Sequence, residues 1–265
     1  EYLADGLTES LIFRLSQMPG VRVIGRSSVF RYKGTEADAR EVGRALGVRA
    51  ILTGPIVQRG DGLLITAERV DTRNGTVLWS EQYARRIADM LVVQREIALA
   101  IAAQLSVNLG GEGGRAVSGA ETENAEAFQV YIRGRYLWNQ RTGQSIARSI
   151  ELFQQATALD PDFALAYAGM ADAYAVLPSY GDAPVTESIA AGKAAALRAL
   201  EIDPQLAEAH TSLGFMLAEY DSDWTGAERS LRRAIELKPN YPTAHHWLSN
   251  VLTMVGRFDE AIDEA

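Results

Sequence analysis

The sequence predicts an α/β domain followed by an all-α superhelix of stacked helical hairpins. A phrase recurs in the second half, as Ala-Leu-Asp-Pro at 158–161, Glu-Ile-Asp-Pro at 201–204 and Glu-Leu-Lys-Pro at 236–239, each closing an amphipathic helix with proline. A unit of this length cannot bury its apolar face alone, whereas several in a row can. The first half instead alternates helix and strand periodicities, and its strand runs are joined by Asp-Gly and Asn-Gly pairs.

In the first half, Leu3, Leu7, Leu11, Leu15 and Met18 mark one face of a helix that stops at Pro19-Gly20. A short strand, Val21 to Gly25, follows. Thr35 and Asp38 have capping-box spacing ahead of Ala39, Val42 and Leu46, with Gly47 as the stop. Strands are expected over Arg49–Gln58, Leu63–Asp71 and Thr76–Tyr83. Asp61-Gly62 and Asn74-Gly75 supply the positive φ of tight hairpin turns between them. Proline lacks the ladder donor, so Gly54-Pro55 makes the first of these strands an edge or bulged one. Val93, Ile97, Ile101 and Leu105 line a closing helix, and Trp79 and Tyr83 read as half-buried strand residues. An opening helix with an apolar face and no strand before it predicts a further strand just upstream of Glu1.

Residues 110–122 carry five glycines and no apolar period, which reads as a linker between a first domain, 1–109, and the repeats of 123–265. Net charge divides unevenly, +2 in 1–109 and −10 in 110–265. The repeat half should repel polyanions. Arg22, Arg26, Arg31 and Lys33 interleave with Phe30 and Tyr32, but so small an excess favours a solvated sheet rim over nucleic-acid contact. No run of eighteen apolar residues offers a bilayer span. Cysteine is absent, which removes disulfides, thiolate zinc sites and cysteine nucleophiles.

Tyr2-Leu-Ala-Asp-Gly-Leu-Thr-Glu-Ser-Leu, Val23-Ile-Gly-Arg-Ser-Ser, Ala39 to Val48 and Asp71 to Tyr83 together resemble the TolB amino-terminal-like domain over residues 1–108. The resemblance implies a mixed sheet with flanking helices, which the upstream strand would complete. It also implies a place in larger bacterial signalling proteins, behind a nucleotide cyclase, a Ser/Thr kinase or a winged-helix domain, ahead of tetratricopeptide repeats.

The second half resembles those repeats. Their pattern places Gly134, Gly169 and Gly214 where paired helices touch, and Pro161, Pro204 and Pro239 at the ends of second helices. Phe153 and Ala156, Ala196 and Ala199, and Ala227, Leu231 and Ala234 fill the later positions. About three residues are extra around Arg141-Thr-Gly, and about eleven near Leu177–Val185. A last repeat from Trp247 reaches Ala261 and stops within its second helix, which makes about 3.5 repeats here, as expected of a fragment of a longer array.

Such arrays bind partners on the concave face of their first helices. The resemblance assigns that face Tyr131, Arg135, Asn139, Met170, Tyr174, Thr211, Phe215, Glu219, His246 and Asn250. Aromatic, amide and charged groups in this mixture suit an extended peptide or a partner helix. Only Asn250 falls at the asparagine position of the carboxylate clamp some members carry, and no lysine accompanies it, so that specificity is not transferred.

No catalytic set is present. Gly-x-Ser-x-Gly is missing, Asp221 and Asp223 fit a helix cap better than acid/base work, and His245 and His246 diverge too far on a helix to share a metal with His210. The expectation is a non-enzymatic interaction and regulatory module with no cofactor or metal. It binds a protein or peptide, engages no nucleic acid, inserts no segment in a membrane and allows a homodimer. Both a cytoplasmic and a periplasmic position in a membrane-anchored protein fit. The alternative is a small-ligand site in the α/β domain, near Ser27-Ser28 or Gly54, with repeats serving oligomerisation.

Overall fold

The computed structural model describes residues 1–16, 21–35, 37–104, 122–181 and 183–265. Met18, Pro19-Gly20, Leu105 and residues 110–121 of the expected linker lie outside them. The chain divides into two compact units, Leu7–Gly119 and Glu1–Gly6 with Ala120–Ala265.

Helix α1, Tyr2–Ser16, buries Leu3, Leu7, Leu11 and Leu15, the four-residue spacing that keeps side chains on one stripe. Val21–Gly25 is irregular rather than the expected strand, because no strand among the described residues pairs with it. A one-turn helix α2, Arg26–Val29, and a 3-10 turn, Phe30–Tyr32, come next. Of the cationic cluster expected on a sheet rim, Arg26 and Arg31 sit on this helical segment, where the Arg26 guanidinium lies 3.8 Å over the Phe30 ring.

Helix α3, Ala39–Leu46, is capped by Asp38 alone, whose carboxylate accepts from the Arg40 N–H at 2.8 Å. Thr35 takes no part, since its hydroxyl donates back to the Tyr32 carbonyl. Gly47 closes the helix at φ 64°, a left-handed position favouring glycine.

Strands β1 (Ala50–Thr53), β2 (Ile56–Arg59), β3 (Gly62–Asp71) and β4 (Val77–Arg86) form the sheet. Every ladder among them is antiparallel, so the mixed pairing implied by the resemblance is not found within the described residues. β1 and β2 are halves of the one strand expected, and both pair with β3. Gly54 makes the break: φ is 149°, and an added Cβ would lie 1.9 Å from the Thr66 carbonyl oxygen. The neighbouring Pro55 carbonyl accepts from the Thr66 N–H at 3.0 Å, which resumes the ladder after the interruption. Arg59 opposes Gly62, so the first hairpin loop is Gly60-Asp61, one residue earlier than expected, with Gly60 at φ 59°. Leu63, Ile65 and Ala67 of β3 and Tyr83 of β4 are buried, while Leu64 faces outward. Helix α4, Met90–Gln104, buries Met90, Val93, Ile97 and Ile101.

The repeat unit holds helices α5 (Ala125–Asn139), α6 (Gly143–Leu159), α7 (Ala164–Tyr180), α8 (Val185–Ile202), α9 (Ala207–Asp221), α10 (Trp224–Leu237), α11 (Pro242–Met254) and α12 (Phe258–Glu264). Consecutive pairs form hairpins. In the Asp-Pro turns, Asp160 and Asp203 accept from the N–H two residues on, at 3.1 and 2.9 Å. Their carbonyls accept from Phe163 and Leu206, which enter the next helix buried. These side-chain-to-backbone bonds stop one helix and aim the next.

Small residues set the crossings. A Cβ on Gly134 would lie 2.7 Å from the Phe153 ring and one on Gly169 2.9 Å from the same ring. Phe153 is fully buried between them. Gly169 therefore joins the second hairpin to the first rather than closing its own. Gly214 meets Leu231 in the same way, at 2.7 Å.

The departures from regular repeat length fit each other. The residues near Leu177 extend α7 rather than forming a loop, and the end of that helix meets the first turn. A Cβ on Gly143 would lie 2.4 Å from the Tyr180 carbonyl oxygen. Arg141 enters this turn at φ 54°, and Thr142 caps α6 with Ser145 in a reciprocal box.

Candidate partner-binding groove

The expected groove residues lie on α5, α7, α9 and α11, and the structure separates those that pack from those that face outward. Tyr131 packs: its ring centroid lies 5.8 Å from Phe153 and 5.0 Å from Phe163. Met170 and Tyr174 are half-buried against the cluster of Ile146, Ile150 and Phe153. Thr211 is buried and donates to the Ala207 carbonyl, so the expected partner contact is corrected to a packing role. Asn139 is half-buried.

Exposure concentrates on α9 and α11. Phe215 and Trp247 pack at 4.2 Å between centroids with their rings tilted by 46°, and Tyr220 lies edge-on to Phe215. His246 leans on Trp247 at 5.0 Å, and Asn250 contacts His246 one helical turn on. Glu219, His246 and Asn250 are exposed around these half-buried rings. This arrangement gives an apolar floor with a polar rim, the form in which aromatic anchors contribute most to association.

Arg135 belongs to a network that the expected set lacks. Its guanidinium pairs with Asp172 at 3.0 Å and lies 4.5 Å from the Trp138 ring centre. The second Asp172 oxygen accepts from the Ser212 hydroxyl, so one carboxylate links α5, α7 and α9. Burial pushes Asp172 above the ordinary carboxylate value, against the opposing effects of Arg135, Ser212 and Arg141. Beside it, Lys238 is buried and pairs with Glu208 at 2.9 Å, its ammonium 4.8 Å from the Tyr241 ring. Burial pushes the Tyr241 phenol well up, and the charges of Glu208 and Asp172 add to the effect. These groups form one polar centre.

The sequence carried faint signals of that centre. Asp172 is an acid inside an alanine-rich helix, and Lys238 stands where Asp160 and Asp203 stand in the two earlier turns.

The histidines do different work. His210 and His245 each contact the carbonyl of the proline six residues earlier, Pro204 at 3.1 Å and Pro239 at 2.9 Å, which ties successive hairpins together. His245 also pairs with Glu264. No metal-ligating cluster occurs among the described residues. Asp223 caps α10 by accepting from the Gly226 N–H at 2.9 Å, and Asp221 pairs with Lys193. In the other unit, Gly54 is filled by backbone approach. An open cleft of about 450 Å³ lies elsewhere, against Val57, Arg59, Leu64, Ala84 and Arg86. No helix among the described residues is long and apolar enough to cross a membrane.

No family model matches the chain. A Rhizobium meliloti protein named "Putative adenylate cyclase 3" is 31% identical over 270 residues, covering 98% of this chain. Transcriptional regulator HilA of Salmonella typhimurium is 23% identical over 143 residues, or 54% of this chain. The matched segments span 38% and 26% of those proteins' own lengths. Similar solved structures include a tetratricopeptide protein of Thermus thermophilus, 18% identical, covering 67% of this chain and 79% of its own at a TM-score of 0.44. The first tetratricopeptide domain of Spaghetti (RPAP3), bound to an HSP90 peptide, is 17% identical, covering 52% and 98% at 0.41.

Proposed function

We propose that this chain is a non-enzymatic interaction and regulatory segment of a larger bacterial signalling protein. A TolB-amino-terminal-like domain, residues 1–109, is joined by the 110–122 linker to a tetratricopeptide array, 123–265, that binds a peptide or protein on its first-helix face. The observation carrying this reading is the tilted Phe215/Trp247 pair, rimmed by exposed Glu219, His246 and Asn250. Likeness along nearly the whole chain to part of a protein with a cyclase name supports a regulatory position beside an output domain.

The test is binding of a partner isolated with the full natural polypeptide. Phe215→Ala and His246→Ala should each weaken it at least tenfold while Leu159→Ala, on a second helix, leaves it unchanged. Equal affinity across all of them would remove the groove from consideration. A small-ligand role for the first unit has its own check, since a nucleotide or sugar at 100 times its dissociation constant stabilises a protein by about 2.7 kcal/mol. A thermal-shift screen without a hit would discard that alternative.

A further inference from the structure

We infer that Asp172 is a specificity-determining residue of this groove: it occupies Arg135 internally and so closes the array to acidic peptides. The inference rests on the groove reading above and adds the class of partner. Arg135 is the arginine the sequence places on the first-helix face, and its guanidinium is held by a carboxylate from the next hairpin. Ser212 fixes the other oxygen of that carboxylate, so Asp172 cannot swing aside without losing a second bond. The same hydroxyl is within 3.1 Å of the Glu208 carbonyl, which anchors it to the α9 backbone.

Lys238 repeats the pattern, held by Glu208 at 2.9 Å with only 8% of its side chain exposed. Arg135 and Lys238 are thus each matched by a carboxylate, and the exposed rim contributes Glu219. A peptide carboxylate that pairs with Arg135 would have to displace the internal one. Displacement leaves the half-buried Asp172 without its cation, which is unfavourable. The fitting partner is a neutral or cationic segment bearing an apolar side chain for the Phe215/Trp247 floor.

The experiment measures fluorescence anisotropy of a glutamate-rich heptapeptide with a free carboxyl terminus, against the full chain and its variants. Wild type should bind it at least tenfold more weakly than Asp172→Ser. The gain should fall with added salt and vanish in Asp172→Ser combined with Arg135→Gln. Ser212→Ala, which loosens Asp172 but leaves its charge on Arg135, should bring a gain well below that of Asp172→Ser, and Asp172→Asn keeps the side-chain volume should Asp172→Ser unfold. Wild-type binding as tight as either Asp172 variant, or a gain that survives loss of Arg135, would overturn the inference. The groove reading is tested separately: its failure would be Phe215→Ala and His246→Ala leaving the natural partner bound, whatever the heptapeptide does.

Discussion

Asp71 and Asp172 are both acids withdrawn from water, one in each unit, and they titrate in opposite directions. Asp71 accepts from the Arg73 N–H at 2.9 Å and from the Arg73 guanidinium, two residues away in sequence, and is held down to about 2. Asp38 and Arg40 repeat the same Asp-x-Arg geometry at the start of α3, with Asp38 also at about 2. Asp172 has partners 37 and 40 residues away, and burial outweighs them, so its carboxyl is pushed up. A partner two residues on is delivered by the turn itself, and its hydrogen bonds outweigh the burial of the acid. A partner from another hairpin arrives only through packing, which also removes water.

That contrast between local and long-range construction can be tested, starting with the largest effect. Phe153→Ala should destabilise the repeat unit by about 3–5 kcal/mol, because the ring fills space shared by Gly134 and Gly169. Urea unfolding followed by helical circular dichroism measures it, and a loss under about 1 kcal/mol would mean the hairpins do not depend on this plug. In the sheet unit, Gly54→Ala should cost about 1–3 kcal/mol, since the Thr66 backbone must move from the new methyl group. Hydrogen exchange at Thr66 and its β3 neighbours reads this directly, and unchanged protection there would argue for a softer bulge. A purely local interaction should matter less: Asp223→Ala removes the α10 cap for about 1 kcal/mol. A larger effect would show that Asp223 also serves tertiary packing.

The smallest effects, and the most direct on the comparison, are pH slopes. For Asp71 the native pKa is lowered, so its stabilisation is present above the ordinary carboxylate value and is lost as pH falls towards about 2. For Asp172 the native pKa is raised, so its contribution is full below the ordinary value and is lost as pH rises through the raised one. Urea midpoints measured across acid to neutral pH should lose the acid-side fall in Asp71→Asn and the decline on the rising side in Asp172→Asn. Slopes of the same sign in both variants would break the comparison.

Much of the architecture was legible because it is written in short-range chemistry. The four leucines of α1, the Gly47 stop, the Asn74-Gly75 turn, the Asp-Pro helix ends and the Asp223 cap all involve residues within a turn or two of each other. Two misreadings were local, Thr35 as a cap partner and the first hairpin loop by one residue, and the others fell where a partner is distant. Val21–Gly25 has strand composition but no ladder partner among the described residues. Thr211 has the spacing of a groove residue, yet it is covered by packing that spacing alone does not reveal. The outward-facing rim of Glu219, His246 and Asn250 followed from counting along first helices, whereas Asp172, Ser212 and Lys238 did not, since nothing near them in sequence marks their partners.

By itself, then, the sequence determined the helix order of the repeat unit, the repeat period and the positions where only a small residue fits, because periodicity, capping and turn preferences act over a few residues. Tertiary structure decided that Phe153 fills two glycine positions from different hairpins and that the extended α7 ends against Gly143. It also decided that Asp172 joins three first helices. Each of these depends on which groups are brought together across tens of residues, and on the loss of water that accompanies their packing.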